Sequence, residues 1–341
     1  MKGQKSTWVC RIISCLLAAI ISHQIFASPQ TVIPGAVWKD NHGNEIEAHG
    51  GGIIRAGQYF YWFGEDRTPG LDSTKRFVAC YQSTDLVHWT FRNRVLKQSD
   101  PSDMGPGWVL ERPKVYYCDK TDKYVMYMHI DNSTYKRAHV GVAVCDTVDG
   151  NYKFLKDFRP LNHESRDIGQ FVDDDGTGYL IFEDKADKSF HIAKLSSDYL
   201  TVQSDVFECK HRLEAGALVK YQGLYYVIGS QLTGWDPNPN QYATAKSLKG
   251  PWSTFQDIAP AAKNNYGAQS TFLLKIVGNK TTTVMYMGDV WNPQKLCDSR
   301  YMWLPATIGN GKFSIPTPGN WTIDTATGAA VMKTTATPAK K

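Results

Sequence analysis

A β-hairpin preceded by a short strand recurs along this 341-residue chain, and this repeat restricts the possible folds most. Five short runs rich in aromatic and β-branched residues each follow turn-forming residues, which is typical of hairpins. Each preceding strand opens with a polar residue: His49, Glu111, Asp167, Glu214 and Gln269, at steps of 62, 56, 47 and 55 residues. Such a repeat, with about four strands per unit, predicts an all-β fold, a five-bladed β-propeller over residues 28–325.

The five polar residues that open the repeats are expected to meet in space. In a propeller the innermost strand of each blade lines the central channel, so these residues converge at one mouth of it. A simpler explanation for any single position is that the side chain satisfies backbone donors at the start of a strand. Five such residues in register favour a shared site.

The composition places the chain among globular proteins and gives no electrostatic support for nucleic-acid binding. Hydrophobic residues make up 42% of the chain and charged residues 21%, which allows a substantial core. The formal charge is +5, but six of the 38 basic residues lie near the chain ends, and the other 32 are balanced by 33 acidic residues. We therefore predict no nucleic-acid partner.

The two ends of the sequence differ from the repeats. Residues 1–27 have a basic start, an apolar run and then small residues, the pattern of a secretory signal peptide. The run is too short to span a bilayer comfortably, and no second apolar stretch follows. Residues 326–341 are small and polar and predict a flexible tail. We expect a monomeric protein that is secreted or periplasmic and has no membrane partner.

Signals for a cofactor or a metal are weak in the sequence. The cysteines after the predicted leader are odd in number and widely spaced, so at most two disulfides can form: Cys80, Cys118, Cys145, Cys209 and Cys297. They form no CxxC or Cys/His cluster, which argues against a zinc site. The acidic run Asp173–Asp175 lacks the spacing of a calcium loop and is typical of a hairpin turn. We expect neither a cofactor nor a metal.

Carboxylates dominate the predicted channel mouth and suggest a reaction. Glu111, Asp167 and Glu214 would lie close together, and crowded like charges raise at least one carboxyl pKa toward neutrality. A carboxyl that stays protonated can donate a proton to the leaving oxygen of a glycosidic bond. Four aromatic residues near the same rim either offer flat faces to pyranose rings or pack between blades: Trp62, Tyr135, Trp235 and Trp291.

Eight segments, in order along the chain, resemble glycoside hydrolase family 43 and within it the exo-β-1,3-galactanases. They are AHGGGI (48–53), YWFGED (61–66), ERPKV (111–115), SRDIGQFVDDDG (165–176), LEAGALVK (213–220), TGWDPNPNQ (233–241), GPWS (250–253) and MGDVW (287–291). The segments span essentially the whole sequence after the leader, and ERPKV and GWDPNPN are long and unusual. The resemblance implies a five-bladed propeller that hydrolyses β-1,3-galactan, a polysaccharide.

The resemblance also implies roles for individual residues. Glu214 matches the family's general acid, and Asp167 matches the carboxylate that orients this acid and adjusts its pKa. The residues implied to hold the terminal sugar are Glu65, Glu111, Tyr135, Thr233 and Trp235, with Asp289 and Trp291 in the same wall and His49 as a hydrogen-bonded wall residue.

The catalytic base is the point at which this chain departs from the wider family. Most relatives place an aspartate at the start of the first blade, where this chain has the sequence HGGG (49–52). In the galactanases, a glutamine that matches Gln269 takes the base position. An amide is a poor proton acceptor, so Gln269 either acts as an imidic acid tautomer or orients the water. Glu45, Glu47 and His49 stay as alternative bases.

The sequence thus leads to one main hypothesis and two alternatives. The main hypothesis is an inverting exo-β-1,3-galactanase, in which Glu214 and a water-holding Gln269 lie on the order of 6.5–9.5 Å apart. The first alternative is α-L-arabinofuranosidase or β-xylosidase activity, which the missing first-blade aspartate disfavours. The second alternative is a carbohydrate-binding propeller without catalysis.

Overall fold

The computed structural model of the chain describes residues 30–72, 74–97 and 107–333. Its regular structure is almost entirely antiparallel β-sheet, and the prediction of an all-β protein is confirmed. The predicted leader, residues 1–27, lies outside the described residues, as do residues 334–341 of the predicted tail. No helix within the described ranges is long and apolar enough to cross a membrane.

After a short first strand, β1 (Gln30–Val32), five antiparallel sheets follow one another, each built from strands that are consecutive in sequence. The first sheet is β2 (His49–Ala56), β3 (Tyr59–Glu65), β4 (Phe77–Ser83) and β5 (Thr90–Lys97). The second is β6 (Val109–Cys118), β7 (Lys123–Asp131), β8 (His139–Cys145) and β9 (Lys153–Phe158). The third is β10 (Gly169–Val172), β11 (Gly178–Asp184), β12 (Ser189–Leu195) and β13 (Val202–Cys209).

The fourth sheet is β14 (Leu213–Tyr221), β15 (Leu224–Gln231), β16 (Gln241–Ala245) and β17 (Gln256–Asp257). The fifth is β18 (Gln269–Val277), β19 (Thr282–Val290) and β20 (Arg300–Pro305). The remaining strands are β21 (Thr307–Gly309), β22 (Lys312–Ser314), β23 (Trp321–Asp324) and β24 (Ala329–Met332). Short 3₁₀-helices cover Pro160–Asn162, Ala261–Gly267 and Leu296–Asp298.

The first strand of each sheet packs against the first strands of the neighbouring sheets. β2 contacts β6, β6 contacts β10, β10 contacts β14, β14 contacts β18, and β18 contacts β2. The polar residues of the repeat lie at the starts of these strands: His49 begins β2, Glu111 is near the start of β6, Asp167 precedes β10, Glu214 is near the start of β14, and Gln269 begins β18. Five adjacent strands therefore present the predicted residues.

Apolar side chains between adjacent sheets form the core. Where the first and fifth sheets meet, Trp62, Trp89, Trp303 and Trp321 are each at most 1% exposed, and the rings of Trp62 and Trp303 are 4.6 Å apart. Fully burying one large apolar side chain stabilises a fold by about 1.5–3 kcal/mol. Trp62 therefore packs between the sheets and does not offer its ring to a sugar.

A small sheet joins the two ends of the described chain. β23 pairs with β1 on one side and with β24 on the other, with Trp321 opposite both Val32 and Met332. The prediction of a flexible tail from residue 326 is therefore wrong as far as Met332. Main-chain pairing with β23 orders this segment although its side chains are small. The five cysteines of the described part are all free thiols.

Candidate active site

A cavity of about 440 Å³ lies at the starts of the inner strands, a volume typical of sites for small ligands. The predicted site residues that line it are Glu65, Glu111, Tyr135, Asp167, Glu214, Trp235, Gln269 and Trp291. The three that do not line it are His49, Thr233 and Asp289. The repeat-based prediction of a shared site therefore holds for four of its five polar residues.

A break in strand pairing directly follows the polar residue of three inner strands. The pairing register shifts after His49 in β2, after Glu111 in β6 and after Glu214 in β14. In each case the next residue has a positive φ angle: 60° at Gly50, 50° at Arg112 and 55° at Ala215. These are β-bulges, which bend a strand and re-aim its side chains. Only glycine adopts such angles without cost, so the second and third bulges hold strained backbone beside the cavity.

Glu214 is the carboxyl best suited to donate a proton. Its side chain is 4% exposed, and burial, reinforced by the nearby charge of Asp167, raises the pKa of Glu214 to about 7. Lys185 opposes this rise, because its Nζ lies 3.1 Å from Oε2 of Glu214. With this pKa, about half of the molecules carry a protonated Glu214 at neutral pH, as a general acid requires.

The amide of Gln269 is held from both sides. Its Nε2 donates to Oε1 of Glu214 at 3.1 Å and to Oγ of Ser230 at 3.0 Å. Its Oε1 accepts from Nε1 of Trp291 at 2.8 Å and from the guanidinium of Arg112. Indole and guanidinium groups can only donate, so they fix the orientation of the amide and favour its ordinary tautomer over the imidic acid.

The contact between Gln269 and Glu214 corrects one expectation. From the sequence we expected the acid and the water-holding group to lie on the order of 6.5–9.5 Å apart. The structure joins the two side chains by a hydrogen bond of 3.1 Å. They are close because β14 and β18 are neighbouring inner strands. A water cannot lie between directly bonded groups, so in this geometry Gln269 positions the acid.

Asp167 lies between a cation and a second buried carboxyl. Nε of Arg112 is 3.1 Å from Oδ2 of Asp167. The backbone N–H of Asp167 donates to Oε1 of Glu183 at 3.2 Å. Burial, together with the charge of Asp167, raises the pKa of Glu183 well above its ordinary value, which favours its neutral form. The negative charge of Asp167 thus acts on Glu214 from a fixed position.

Glu111 is held as an anion by a buried histidine. His129 lies between two carboxylates, with Nδ1 3.1 Å from Glu111 and Nε2 3.1 Å from Asp131. Burial disfavours the charged imidazole, but the two carboxylates outweigh it and raise the pKa of His129 to about 9. The resulting cation lowers the pKa of Glu111 to about 2 against the effect of burial. Tyr135 also donates to Glu111, at 2.8 Å.

Two arginines hold the carboxyl group of Glu65 in the cavity lining. Nη2 of Arg67 lies 2.5 Å from its Oε2, and the backbone N–H of Arg112 donates to its Oε1 at 3.0 Å. Burial raises the pKa of Glu65, while the charge of Arg67 opposes the rise. Glu65 and Glu111 therefore present oriented oxygens that can accept hydrogen bonds from a polyhydroxylated ligand.

Two tryptophans form an apolar corner of the cavity. Trp235 is 49% exposed, and its ring lies 5.6 Å from that of Trp291 at an angle of 78°. Thr233 supports this corner indirectly: its Oγ1 donates to the carbonyl of Asp236 at 2.6 Å and accepts from Asn238 at 2.7 Å. Thr233 thus shapes the loop that carries Trp235, and its contact with a sugar stays a prediction.

His49 and Asp289 are buried and do not line the cavity, so a sugar contact of either residue stays a prediction. Nδ1 of His49 is 3.0 Å from Oδ1 of Asp289, whose Oδ2 accepts from the N–H of Gly50 at 3.0 Å. Nε2 of His49 faces Glu47 at 3.4 Å. These carboxylates outweigh burial and raise the pKa of His49 to about 9, so it is already protonated near neutral pH and is not the base. Glu45 and Glu47 do not line the cavity either.

Basic side chains that were not predicted from the sequence complete the site. Arg112, Arg166 and Lys185 line the cavity. Lys114 is completely buried beneath it and donates to the carbonyl of Gly50 at 2.7 Å. Burial, with repulsion from Arg112, lowers the pKa of Lys114 to about 7. Arg112 and Lys114 both belong to the ERPKV segment, which was the one signal that could have identified them.

A family model, glycosyl hydrolases family 43, matches residues 48–283. The structure is similar to an exo-β-1,3-galactanase from Phanerochaete chrysosporium with galactose, at 39% identity and a TM-score of 0.84 over 89% of this chain and 71% of that one. A glutamate-to-glutamine variant of that enzyme with β-1,3-galactotriose matches at 38% identity and a TM-score of 0.84, over 89% and 70% of the two chains.

An exo-β-1,3-galactanase from Clostridium thermocellum is also similar, at 34% identity and a TM-score of 0.83 over 90% of this chain and 69% of that one. The comparison with curated protein sequences gives no significant match. The match to the family model includes all the residues that line the cavity except Trp291.

Proposed function

Because the chain belongs to glycosyl hydrolases family 43, we propose that it removes galactose from the non-reducing end of β-1,3-galactan. The observation that carries this proposal is the state of Glu214, a buried carboxyl with a pKa of about 7 in a cavity lined by aromatic and hydrogen-bonding side chains. Similarity to enzymes solved with galactose and with β-1,3-galactotriose supports the choice of substrate.

In the proposed reaction, Glu214 donates its proton to the glycosidic oxygen as the bond to the sugar carbon breaks. A water molecule attacks that carbon from the opposite face and loses a proton to the solvent, from which Glu214 is protonated again before the next turnover. The charge of Asp167 and burial keep the proton on Glu214 until this step. Once the proton has left, the new carboxylate faces two donors, Lys185 at 3.1 Å and Nε2 of Gln269 at 3.1 Å. Hydrogen bonds to an ionised group are the stronger kind, so these two residues stabilise the acid after transfer.

The same cavity offers complementary surfaces to a galactose ring. Carboxyl oxygens of Glu65 and Glu111 can accept hydrogen bonds from hydroxyl groups, and Tyr135 holds Glu111 in place. Trp235 and Trp291 provide apolar faces for the C–H groups of a pyranose. An exo action fits a site in which the terminal sugar is surrounded by these side chains.

We propose that hydrolysis proceeds with inversion and that Gln269 positions Glu214 rather than acting as the base. All polar atoms of the Gln269 side chain have protein partners, which supports this role. Inversion at a β-linked galactose releases the α anomer first. Proton NMR of the earliest product is the direct test, and a β anomer would contradict inversion.

We also propose that the five sheets form a five-bladed propeller. Contact between β18 and β2, the inner strands of the fifth and first sheets, supports this arrangement. The leader pattern of residues 1–27 supports export. Sequencing the N-terminus of the protein recovered from the medium or periplasm tests the export proposal, and a mature protein that starts at Met1 would contradict it.

Digestion of β-1,3-galactan by the wild type and by Glu214→Gln tests the proposed activity. We expect the wild type to release monomeric galactose, and the variant to bind galactan without turnover. Glu208→Gln removes a carboxylate that does not line the cavity and serves as the matched control, with activity expected to be unchanged.

The products separate the alternatives. Internal fragments would contradict the exo action. Hydrolysis of nitrophenyl arabinoside or xyloside with no action on galactan would favour an arabinofuranosidase or xylosidase. Binding by the wild type without any turnover would identify a carbohydrate-binding propeller.

A further inference from the structure

His163, His191 and Asp205 gather in the third sheet and do not line the active-site cavity. One ligand-type atom from each residue lies within 4.8 Å of the other two. His163 follows the 3₁₀-helix Pro160–Asn162, His191 belongs to β12, and Asp205 belongs to β13. The two imidazole rings are 4.4 Å apart, and Nδ1 of His191 is 3.1 Å from Oδ1 of Asp205. The proposed activity uses none of these residues.

A β-bulge brings Asp205 to the face of the sheet that carries His191. Ile192 pairs with Phe207, but Ala193 pairs with Asp205, so residue 206 has no partner on β12. Paired residues of an antiparallel ladder point to the same side, and sides alternate along a strand. Without the bulge, Asp205 would lie opposite Lys194 and point away from His191. The extra residue reverses this direction.

Nε2 of His163 is available to bind a metal. Its Nδ1 is 2.9 Å from Oδ2 of Asp184. Because a carboxylate can only accept a hydrogen bond, the imidazole hydrogen is on Nδ1. The lone pair of that imidazole is then on Nε2, which has no hydrogen-bond partner among the described residues. A carboxylate behind an imidazole is the arrangement that orients metal-binding histidines.

The surroundings of His191 accept either tautomer. In the metal-free form, Nδ1–H donates to Asp205, and Nε2 accepts from Oγ of Ser189 at 2.8 Å. When Nδ1 binds a metal, the imidazole hydrogen must be on Nε2, from which it donates to Ser189. The hydroxyl hydrogen of Ser189 can then turn to Oδ2 of Asp187, 3.4 Å away. Every hydrogen therefore keeps an acceptor, and the imidazole loses no proton overall.

We propose that Nε2 of His163, Nδ1 of His191 and a carboxylate oxygen of Asp205 bind a Zn²⁺ ion. Two imidazoles and one carboxylate form a donor set typical of zinc, whereas Ca²⁺ and Mg²⁺ prefer oxygen ligands alone. The side chains of His163 and Asp205 are 27% and 28% exposed, so the ion and a completing water can reach the site. These three ligands are far apart in the sequence, so they do not form the local Cys/His cluster by which a zinc site is recognised from sequence.

Zinc at this position would connect the third sheet to the segment that carries two cavity residues. His163 is followed by Arg166 and Asp167, both of which line the cavity. The metal would hold the start of this segment to β12 and β13. Bound zinc is therefore expected to stabilise the fold and to restrict the segment that positions Asp167.

Zinc titration of the full chain, without an affinity tag and after treatment with a chelator, tests the proposal. Isothermal calorimetry with ZnCl₂ should give one ion per chain, and Co²⁺ should give the visible absorption bands of a site with nitrogen ligands. Asp205→Asn and His163→Gln should each weaken zinc binding by about tenfold or more. They should also remove the rise in melting temperature that zinc causes in the wild type.

His88→Gln is the matched control. His88 also pairs with a carboxylate, Asp85, at 2.8 Å, but the described part of the chain offers this pair no third ligand. This variant should bind zinc as the wild type does. The proposal is wrong if the wild type binds no zinc, or if Asp205→Asn and His163→Gln bind it as tightly as His88→Gln.

Discussion

Replacing Lys185 with methionine should move the alkaline limb of the pH–activity profile to higher pH. Nζ of Lys185 lies 3.1 Å from Oε2 of Glu214, and the lysine side chain is 38% exposed. At this distance in a water-like dielectric, two unit charges interact by about 1.3 kcal/mol, which is about one pKa unit. The exposure of Lys185 calls for this screened value rather than one for a buried pair.

The sign follows from the role of Glu214, which must be protonated to act. Activity falls as the pH rises through the pKa of Glu214, which is about 7 in the wild type. Without the lysine the carboxylate is less stable, so the pKa should rise to about 8. At the pH of the new midpoint, the variant should keep about half of its maximal kcat/KM, while the wild type keeps about a tenth.

Initial rates of galactose release from β-1,3-galactan, measured across both limbs of the profile, provide the assay. The ionic strength should be low, because salt screens the pair. Lys210→Met is the control, since Lys210 is 59% exposed and pairs with Asp187 and Glu208 outside the cavity. An alkaline limb of Lys185→Met that coincides with that of the control, or lies at lower pH, would show that Lys185 does not lower the pKa of Glu214.

Two further predictions concern stability. Gly51→Ala should destabilise the fold by more than about 3 kcal/mol, because the new Cβ would lie 1.9 Å from a backbone oxygen of β3. Gly319→Ala is the control, since its new Cβ would lie at an ordinary contact distance of 3.5 Å from its nearest neighbour. Thermal unfolding compares the two, and equal melting temperatures would contradict the packing argument. His129→Gln should destabilise the fold by up to about 3 kcal/mol, because it removes the cation 3.1 Å from the buried carboxylate of Asp131 and leaves only Arg166, at 3.8 Å. Urea denaturation measures this loss, and an unchanged midpoint would show that the imidazole carries no charge.

The parts of the fold that depend on local sequence could be predicted. Alternating aromatic and β-branched residues between turn formers identify the hairpins, and their regular spacing identified the five inner strands. The polar residues Asp167, Glu214 and Gln269 were assigned to one site because strand starts are local features. The similarity of short segments then supplied the family, which the comparison with the family model confirms.

The parts that depend on contacts between sheets could not be predicted. Arg112 and Ala215 have positive φ angles, which the sequence does not indicate because neither residue is a glycine. Because the bulges could not be predicted, nothing in the sequence indicated that Glu214 would bond directly to Gln269. His49 and Asp289 were assigned to the sugar because they stand in matching segments, yet they meet each other between the first and fifth sheets.

The pairing of β1 with β23 has a consequence for synthesis of the protein. Trp62 and Trp89 are covered by Trp303 and Trp321, which the ribosome adds much later. Until then, the indole rings of the first sheet are exposed to solvent, and contacts between such distant positions form slowly. A nascent chain thus exposes an aromatic surface until Trp303 and Trp321 have been added, and a chaperone that binds this surface would be released when the two tryptophans pack onto it.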